Sequence, residues 1–134
     1  MRLISKAELE LLNMDIRTQQ LLDRTFFFGV NSLKFLKKLP YDDIYKIPKF
    51  QVGRSSASIG ANYEEAQGAV SKRDFMNKVG ISYKEARESV YWLRMLKELY
   101  EEKRFEEEFN KLIKEALELR SIFSSIKNSA DKGK

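Results

Sequence analysis

The feature that most constrains the fold is the spacing of apolar and small residues between positions 75 and 100. They recur in steps of three and four over nearly four heptads, the pattern of one buried face on a long α-helix. The residues are Phe75, Val79, Ser82, Ala86, Val90, Leu93, Leu96 and Tyr100. Alternating strand patterns are missing, so this segment predicts a helix over about 72–100.

Three further segments show helical periodicity, and the whole chain contains only two prolines and six glycines. We predict helices over about 18–37, 43–66 and 104–127. Their predicted inward residues are Leu22, Phe26, Val30, Leu33 and Leu36 in the first, Ile44, Ile47, Ser55, Ile59, Asn62 and Ala66 in the second, and Phe105, Phe109, Leu112, Ala116, Leu119, Phe123 and Ile126 in the last.

Pro48 interrupts the second of these segments. It either occupies the first turn of a helix that starts near Ile47 or kinks a longer helix, and we predict the longer, kinked helix. Residues 5–14 form a short helix of their own or an extension of the first helix. The small, polar and basic tail, 128–134, is predicted to be disordered.

Four long amphipathic helices with short connections predict an all-α fold in one domain, residues 1–134. The expected architecture is an antiparallel up-down-up-down four-helix bundle with a short N-terminal extension. No apolar run approaches the roughly 18 residues of a membrane span, and no secretory segment opens the chain. We therefore expect a cytoplasmic protein with no membrane contact.

Composition argues against most reaction chemistry. The chain has no Cys and no His, which removes thiolate sites, the di-iron sites of helical bundles and haem ligation by His. Glu85 and Glu88 are spaced to lie on nearly the same helix face, the placement that an acid/base pair requires. The favoured interpretation is that one pairs with Arg54 or Arg87 while the other is solvated. We predict no catalytic residue, no metal and no cofactor.

The segment 51–65 is small and polar although its pattern is helical, and small residues let another helix approach closely. Arg54 and Asn62 flank its predicted inward face. A partly buried arginine needs a partner, because an isolated charge in the interior is costly. Glu65 or Glu85 is the expected acceptor, which would fix the register between two helices. The alternative is that Arg54 faces a ligand or an RNA phosphate.

The net charge is +5, and cations gather at two predicted turns. Flexible cations beside aromatic faces suit contact with nucleic acid, and Tyr41 and Tyr45 lie within the first group. The alternative is an ordinary solvated surface. The candidate nucleic-acid-binding residues are Lys34, Lys37, Lys38, Lys46 and Lys49 at the first turn, with Lys72, Arg73 and Lys78 at the next.

Three motifs together carry a family resemblance: RSSASIGANYEEA at 54–66, SKRDF at 71–75 and SYKEARE at 82–88. With them the chain closely resembles the four-helix-bundle family named for the 23S rRNA intervening sequence, from about residue 26 to 126. Pro48, Lys78 and Gly80 depart from that family's pattern. The matching motif residues are Arg54, Ser55, Ser58, Asn62, Glu65 and Glu85.

The family is similar to the accessory variability protein of diversity-generating retroelements. The resemblance implies a homopentameric ring of four-helix protomers with a basic surface, nucleic-acid binding and no enzymatic activity. We therefore expect a non-enzymatic homo-oligomer, a pentamer, that associates with RNA or DNA. The alternative is a scaffold that docks a partner protein without binding nucleic acid directly.

Overall fold

The structure is a computed structural model that describes the backbone of residues 3–132, and their side chains except those of residues 14 and 130–132. Four α-helices account for most of these residues. They are α1 (Lys6–Lys38), α2 (Lys46–Gln67), α3 (Lys72–Leu99) and α4 (Glu106–Lys132). The described residues contain no strand, so the predicted all-α four-helix bundle is confirmed.

Helix α1 begins twelve positions earlier than the predicted residue 18, at Lys6. A reciprocal capping box fixes this start. The Ser5 hydroxyl accepts a bond from the Glu8 backbone N–H, and the Glu8 carboxylate accepts one from the Ser5 N–H, both at 3.1 Å. These bonds satisfy amide groups that a helix start leaves unpaired. The predicted N-terminal extension is therefore the first part of a continuous α1.

The kinked helix predicted over 43–66 is wrong at its start. Asp42 caps a single 3-10 turn, Asp43–Tyr45, by accepting a bond from the Ile44 N–H at 3.0 Å. Helix α2 follows at Lys46, which places Pro48 in its first turn. There the missing proline N–H costs no helical hydrogen bond, so no kink is needed.

The last helix is longer than predicted. Helix α4 continues to Lys132, so the prediction of a disordered tail over 128–134 is wrong for residues 128–132, while 133 and 134 lie outside the described residues. Glu106, Glu107 and Glu108 occupy the first turn of α4, where negative charge is favourable beside the helix N-terminus. The low helix propensity of Asn128 and Ser129 is not enough to end α4 before Lys132.

The predicted inward faces of α3 and α4 are confirmed. Every predicted residue of these two helices is buried except Phe75 and Ile126, which are partly buried and pack against the core. Each of these two helices has a single apolar stripe, so its sequence indicates only one face that could be buried.

The predicted inward face of α1 is only partly right. Leu22 and Leu36 are partly buried and pack against the core, but Phe26 and Leu33 do not. Phe26 is 62% exposed and Leu33 is 50% exposed. The stripe that faces the core lies about one residue away around the helix and includes two polar residues. It consists of Leu21, Thr25, Phe28, Ser32, Phe35 and Leu39. Thr25 can be buried because its hydroxyl donates to the Leu21 carbonyl at 2.9 Å.

Part of the α2 prediction also fails. Ile44 is 75% exposed and Ile47 is 69% exposed, whereas Pro48 and Val52 are buried. Pro48 and Val52 lie 11 and 7 residues before Ile59 and share its helix face, whereas Ile47 lies 12 residues before it and is rotated by about 120° from that face. Ile44 lies in the 3-10 turn, outside α2.

Close approach of α1 and α2 sets their antiparallel register. A Cβ placed on Gly60 would lie 3.1 Å from the Thr25 Oγ1 and 3.2 Å from the Thr25 backbone carbon. A Cβ on Gly29 would lie 3.3 Å from the Ala57 Cα. Position 60 thus meets position 25 while position 57 meets position 29, as in two antiparallel helices whose backbones nearly touch.

Buried serines join α2 to α3. The Ser89 hydroxyl donates to Ser55 Oγ at 2.9 Å, and the Ser82 hydroxyl donates to the Ile59 carbonyl at 2.9 Å. All three serines are fully buried, so their hydroxyl groups need these partners. This serine seam fixes the α2–α3 register.

Helices α1 and α4 close the bundle and are less closely packed than the other neighbouring pairs. Arg24 bridges them by donating from Nε to Glu115 at 3.0 Å and from Nη2 to Glu118 at 2.6 Å. Phe35 and Phe109 meet behind this seam with ring centroids 4.7 Å apart. The helices therefore follow the predicted up-down-up-down order.

Candidate nucleic-acid interface

A cationic cluster surrounds Tyr83 on the surface shared by α3 and α4. Arg87 lies one turn beyond Tyr83 on α3, and its Nη1 donates to the tyrosine oxygen at 3.1 Å. Its guanidinium carbon is 5.9 Å from the ring centroid, and the Lys127 Nζ of α4 is 5.7 Å from the same centroid. We call Tyr83, Arg87, Arg120 and Lys127 the Tyr83 cluster.

The electrostatics of the Tyr83 cluster favour an anion. The hydrogen bond from Arg87 lowers the pKa of Tyr83 most. Desolvation opposes this shift and outweighs any single charge, while the positive charges of Arg87, Arg120 and Lys127 each lower the pKa further. Within the described part of the chain, none of the three cations forms an ion pair with a carboxylate. Their positive potential is therefore available to a bound phosphate.

The predicted cations at the first turn divide into two kinds. Lys34 and Lys37 are exposed on the last part of α1, and neither has an ion-pair partner among the residues that the structure describes. Lys38 instead pairs with Glu108, with 3.2 Å between Nζ and Oε1. These three lysines do not form a uniform set of free charges.

The two lysines of α2 at this turn are also engaged. Lys46 pairs with Asp43 at 3.0 Å and lies 5.7 Å from the Tyr41 ring centroid. Lys49 donates to the Pro40 carbonyl at 2.9 Å, which ties α2 to the preceding turn. Both side chains serve local structure, so their contribution to a ligand would compete with these contacts.

The second group lies at the opposite end of the bundle, where α2 ends and α3 begins. Lys72 and Arg73 are exposed in the first turn of α3. Lys78 pairs with Glu65, with 2.9 Å between Nζ and Oε2. The eight predicted cations therefore lie at two ends of the molecule and do not form one patch.

Arg54 has the structural role that the sequence favoured. Its Nη1 donates to Glu85 at 3.0 Å, its Nη2 contacts Glu88, and its Nε donates to Gln51 at 3.0 Å. Burial lowers the pKa of Arg54, but the hydrogen bond and charge of Glu85, followed by those of Glu88, raise it above its ordinary value. Glu85 is only 7% exposed, so the pair ties α2 to α3.

Of the two acceptors expected for Arg54, Glu85 is confirmed, and Glu65 binds Lys78 instead. Asn62 donates to the carbonyl of Ser58 in its own helix at 2.8 Å, so it does not link two helices. Glu88 is not simply solvated, because it shares Arg54 with Glu85.

Sequence reasoning missed the Tyr83 cluster. Arg87 follows Tyr83 by four residues, and Arg120 and Lys127 are seven apart, so each pair shares a helix face. The sequence contains this spacing within each helix. It does not contain the register of α3 against α4, which decides whether the two pairs of residues meet.

Metal and membrane roles find no support in the described residues. No group of acidic side chains among the described ones, residues 3–129, is arranged to hold a metal ion. Likewise, no helix in that range combines the length and apolar character needed to cross a bilayer.

The fold and its motifs define a class of all-α four-helix-bundle proteins. Comparison with known families is more specific, because the model for the 23S rRNA-intervening sequence protein matches residues 17–125. The chain belongs to that family, which confirms the resemblance found in the sequence.

A solved relative supports the same assignment. It is a crystal structure of a protein with unknown function from the S23 ribosomal protein family of Bacteroides thetaiotaomicron, 33% identical to this chain. The match has a TM-score of 0.71 and covers 80% of this chain and 97% of that chain. No curated protein matches the chain.

Proposed function

We propose that this chain is a non-enzymatic, nucleic-acid-associated protein that binds phosphates of RNA through its basic surface. The observation that carries the proposal is the Tyr83 cluster. The Arg87 guanidinium carbon and the Lys127 Nζ lie 5.9 Å and 5.7 Å from the Tyr83 ring centroid, Arg120 adds a third positive charge, and none of the three has a carboxylate partner in the described structure. The family name, which refers to an intervening sequence in 23S rRNA, supports RNA as the first ligand to test.

Each cluster offers only a few charges, so binding by one protomer would be weak. Neutralising a phosphate releases a counterion, and affinity grows with the number of phosphates contacted. A homo-oligomer, such as the pentamer implied by the resemblance, repeats the cluster in every subunit. Simultaneous contact with one strand then raises the overall affinity by about 10²–10⁴-fold where the spacing fits.

The first experiment measures binding of single-stranded RNA and DNA to the intact protein over a range of salt concentrations. We expect Arg87→Gln/Arg120→Gln to weaken binding and to reduce the slope of log affinity against log salt by about 1.4 for each bound subunit, at roughly 0.7 per phosphate contact. The matched control is Arg104→Gln/Lys111→Gln, which removes the same charge from cations already paired with Glu102 and Glu107.

Two results would count against the proposal. Undetectable affinity for both nucleic acids at low salt would exclude it. An equal loss in the control variant would show that net charge, and not the Tyr83 cluster, determines binding.

The lysines at the first turn form a separate test. Replacing Lys34, Lys37 and Lys38 with Glu should weaken binding if that end of the bundle also contacts phosphate. Intact binding in this variant would restrict the interface to the α3–α4 surface.

A protein-docking scaffold remains a second candidate because one surface is apolar. Phe26, Leu33 and Phe50 are 62%, 50% and 68% exposed along α1 and α2. Exposed apolar patches of this kind mark interaction sites in folded proteins. Capture of a partner by a variant that lacks nucleic-acid binding would favour this candidate.

A further inference from the structure

A line of exposed residues, four of them cations, runs along the outer side of α3. Its positions alternate steps of four and three, so they share one face of the helix. The α3 ridge consists of Arg73, Asn77, Gly80, Lys84, Arg87, Tyr91 and Arg94. All of them are exposed except Gly80, which is partly exposed. From its first to its last residue the ridge is about 32 Å long, at the α-helical rise of about 1.5 Å per residue.

The carboxylates of this part of α3 all have partners off the ridge. Asp74 accepts a bond from the Val70 N–H at 3.2 Å. Glu85 and Glu88 both bind Arg54 of α2. Within the part of the chain that the structure describes, none of the four ridge cations forms an ion pair. The positive charge of the α3 ridge is therefore not neutralised within the protomer.

Tyr91 gives the α3 ridge an exposed aromatic face. It is 56% exposed and lies between Arg87 and Arg94, each about one helical turn away. Its ring meets the Trp92 ring edge to face, with centroids 5.0 Å apart and an interplanar angle of 83°. Trp92 is partly buried and packs against the core, so it supports the Tyr91 ring from one edge. An aromatic face beside cations suits a nucleobase and its neighbouring phosphates.

We propose that the α3 ridge binds single-stranded nucleic acid, with one base stacked on Tyr91 and the flanking phosphates held by the ridge cations. This inference rests on the proposed function and deepens it, because it specifies a strand whose bases are free to stack. Arg87 belongs to both the ridge and the Tyr83 cluster, so the two surfaces are continuous. Four like charges in a row repel the same ridge of a second copy, so a polyanion is the complementary occupant.

The first test compares four probes at one low salt concentration. They are a single-stranded RNA of about 12 nucleotides, an abasic strand with the same number of phosphates, the duplex of the first strand, and polyglutamate of the same charge. We expect the intact single strand to bind at least about fivefold more tightly than the abasic strand or polyglutamate, since stacking of one base adds at least that factor.

Variants at position 91 assign this difference to one ring. Tyr91→Ala should weaken binding of the intact single strand by at least about fivefold and leave the abasic strand and the duplex unaffected, because neither offers a free base face. Tyr91→Phe should keep the affinity of the native protein. The matched control is Phe27→Ala, because Phe27 is 55% exposed on α1, which packs against α2 and α4.

The chain contains a single tryptophan, Trp92, so its fluorescence reports directly on the Tyr91 site. We expect the intact strand to change Trp92 emission at saturation and the abasic strand to leave it nearly unchanged. The same emission change with both strands would refute stacking at Tyr91.

A second pair of variants tests the length of the contact. Lys84→Gln/Arg94→Gln should reduce the slope of log affinity against log salt by about 1.4 for each bound subunit, at roughly 0.7 per phosphate. Arg104→Gln/Lys111→Gln is again the control with the same charge change. An unaltered slope in Lys84→Gln/Arg94→Gln would confine binding to the Tyr83 cluster and overturn the ridge.

The outcomes separate this inference from the proposed function. Equal affinity for the intact strand and the abasic strand, or for polyglutamate, would overturn base stacking on the α3 ridge while phosphate binding by the Tyr83 cluster still stands. Undetectable affinity for every nucleic-acid probe would overturn both.

Discussion

The close approach of α1 and α2 makes the effect of an alanine at Gly60 differ in sign from its effect at Gly80. Both glycines lie inside helices, so alanine removes the same conformational penalty in each, about 0.5–1 kcal/mol. At Gly80 the added Cβ would have no described atom within 4 Å apart from its own neighbours and helix backbone. Gly80→Ala should therefore raise the free energy of unfolding by about that amount.

At Gly60 the added Cβ would lie 3.1–3.3 Å from the Thr25 Oγ1, the Thr25 backbone carbon and the Phe26 nitrogen. Two of these atoms belong to the α1 backbone, so relief requires the helices to separate. Overpacking of this kind costs about 1–3 kcal/mol. After subtraction of the helix-propensity gain, Gly60→Ala should lower stability by up to about 2 kcal/mol.

Thermal and urea denaturation at equal chain concentration measure this difference. The two variants should differ by about 1–3 kcal/mol, which corresponds to roughly 4 °C in Tm per kcal/mol for a domain of this size. Gly53→Ala is an intermediate control, because its Cβ would meet the ends of two flexible side chains, Leu33 Cδ2 at 3.3 Å and Leu36 Cδ1 at 3.8 Å. Equal shifts for Gly60→Ala and Gly80→Ala would refute the tight α1–α2 contact.

Three other perturbations test the polar interior and the Tyr83 cluster. Ser32→Ala should stabilise the protein by about 1 kcal/mol, because its buried hydroxyl has no hydrogen-bond partner among the described residues. Ser82→Ala should instead destabilise it by about 1 kcal/mol in urea denaturation, because a buried hydrogen bond is lost. Arg54→Leu should lower the free energy of unfolding by about 1–3 kcal/mol, less than the loss of a fully buried ion pair because the arginine side chain is 37% exposed. Adding Glu85→Leu should restore part of that stability, because no unpaired carboxylate is then buried. In a spectrophotometric titration, Tyr83 should ionise at lower pH than an ordinary tyrosine, so Tyr83→Phe should remove the earliest-titrating phenol.

Contrary outcomes are equally specific. Equal effects of the two serine variants would mean that the Ser82 bond contributes nothing. A double variant of Arg54 and Glu85 that is no more stable than Arg54→Leu would argue against a buried carboxylate left unpaired. Because the pKa of Tyr83 is lower in the folded state, its ionisation should raise the free energy of unfolding as pH rises through the folded pKa. A free energy of unfolding that does not change over that pH range would contradict the lowered pKa.

The sequence predicted α3 and α4 well because each has one apolar stripe. Leu93 and Leu119 lie where their periodicity places them, and both are fully buried. The sequence failed for α1 because two stripes compete. The more apolar stripe, with Phe26 and Leu33, is exposed, whereas the buried stripe includes Ser32, which periodicity scored as polar.

The site was less predictable than the fold for a physical reason. Lys38 and Lys78 were candidates on charge alone, but carboxylates on other elements pair with both. Arg87 and Lys127 become candidate binding residues only because both lie beside the Tyr83 ring. Such pairing depends on the register between helices, which the spacing within one helix does not contain.

The thin contact between α1 and α4 also bears on how the bundle unfolds. Local opening follows the boundary with the fewest buried contacts, and here that boundary is the seam bridged by Arg24. We expect α1 and α4 to separate first, while α1 stays packed against α2 and α4 stays packed against α3. The aromatic contact of Phe35 and Phe109 lies directly behind that seam. The buried rings of Phe35 and Phe109 are therefore among the first interior surfaces exposed when this boundary opens.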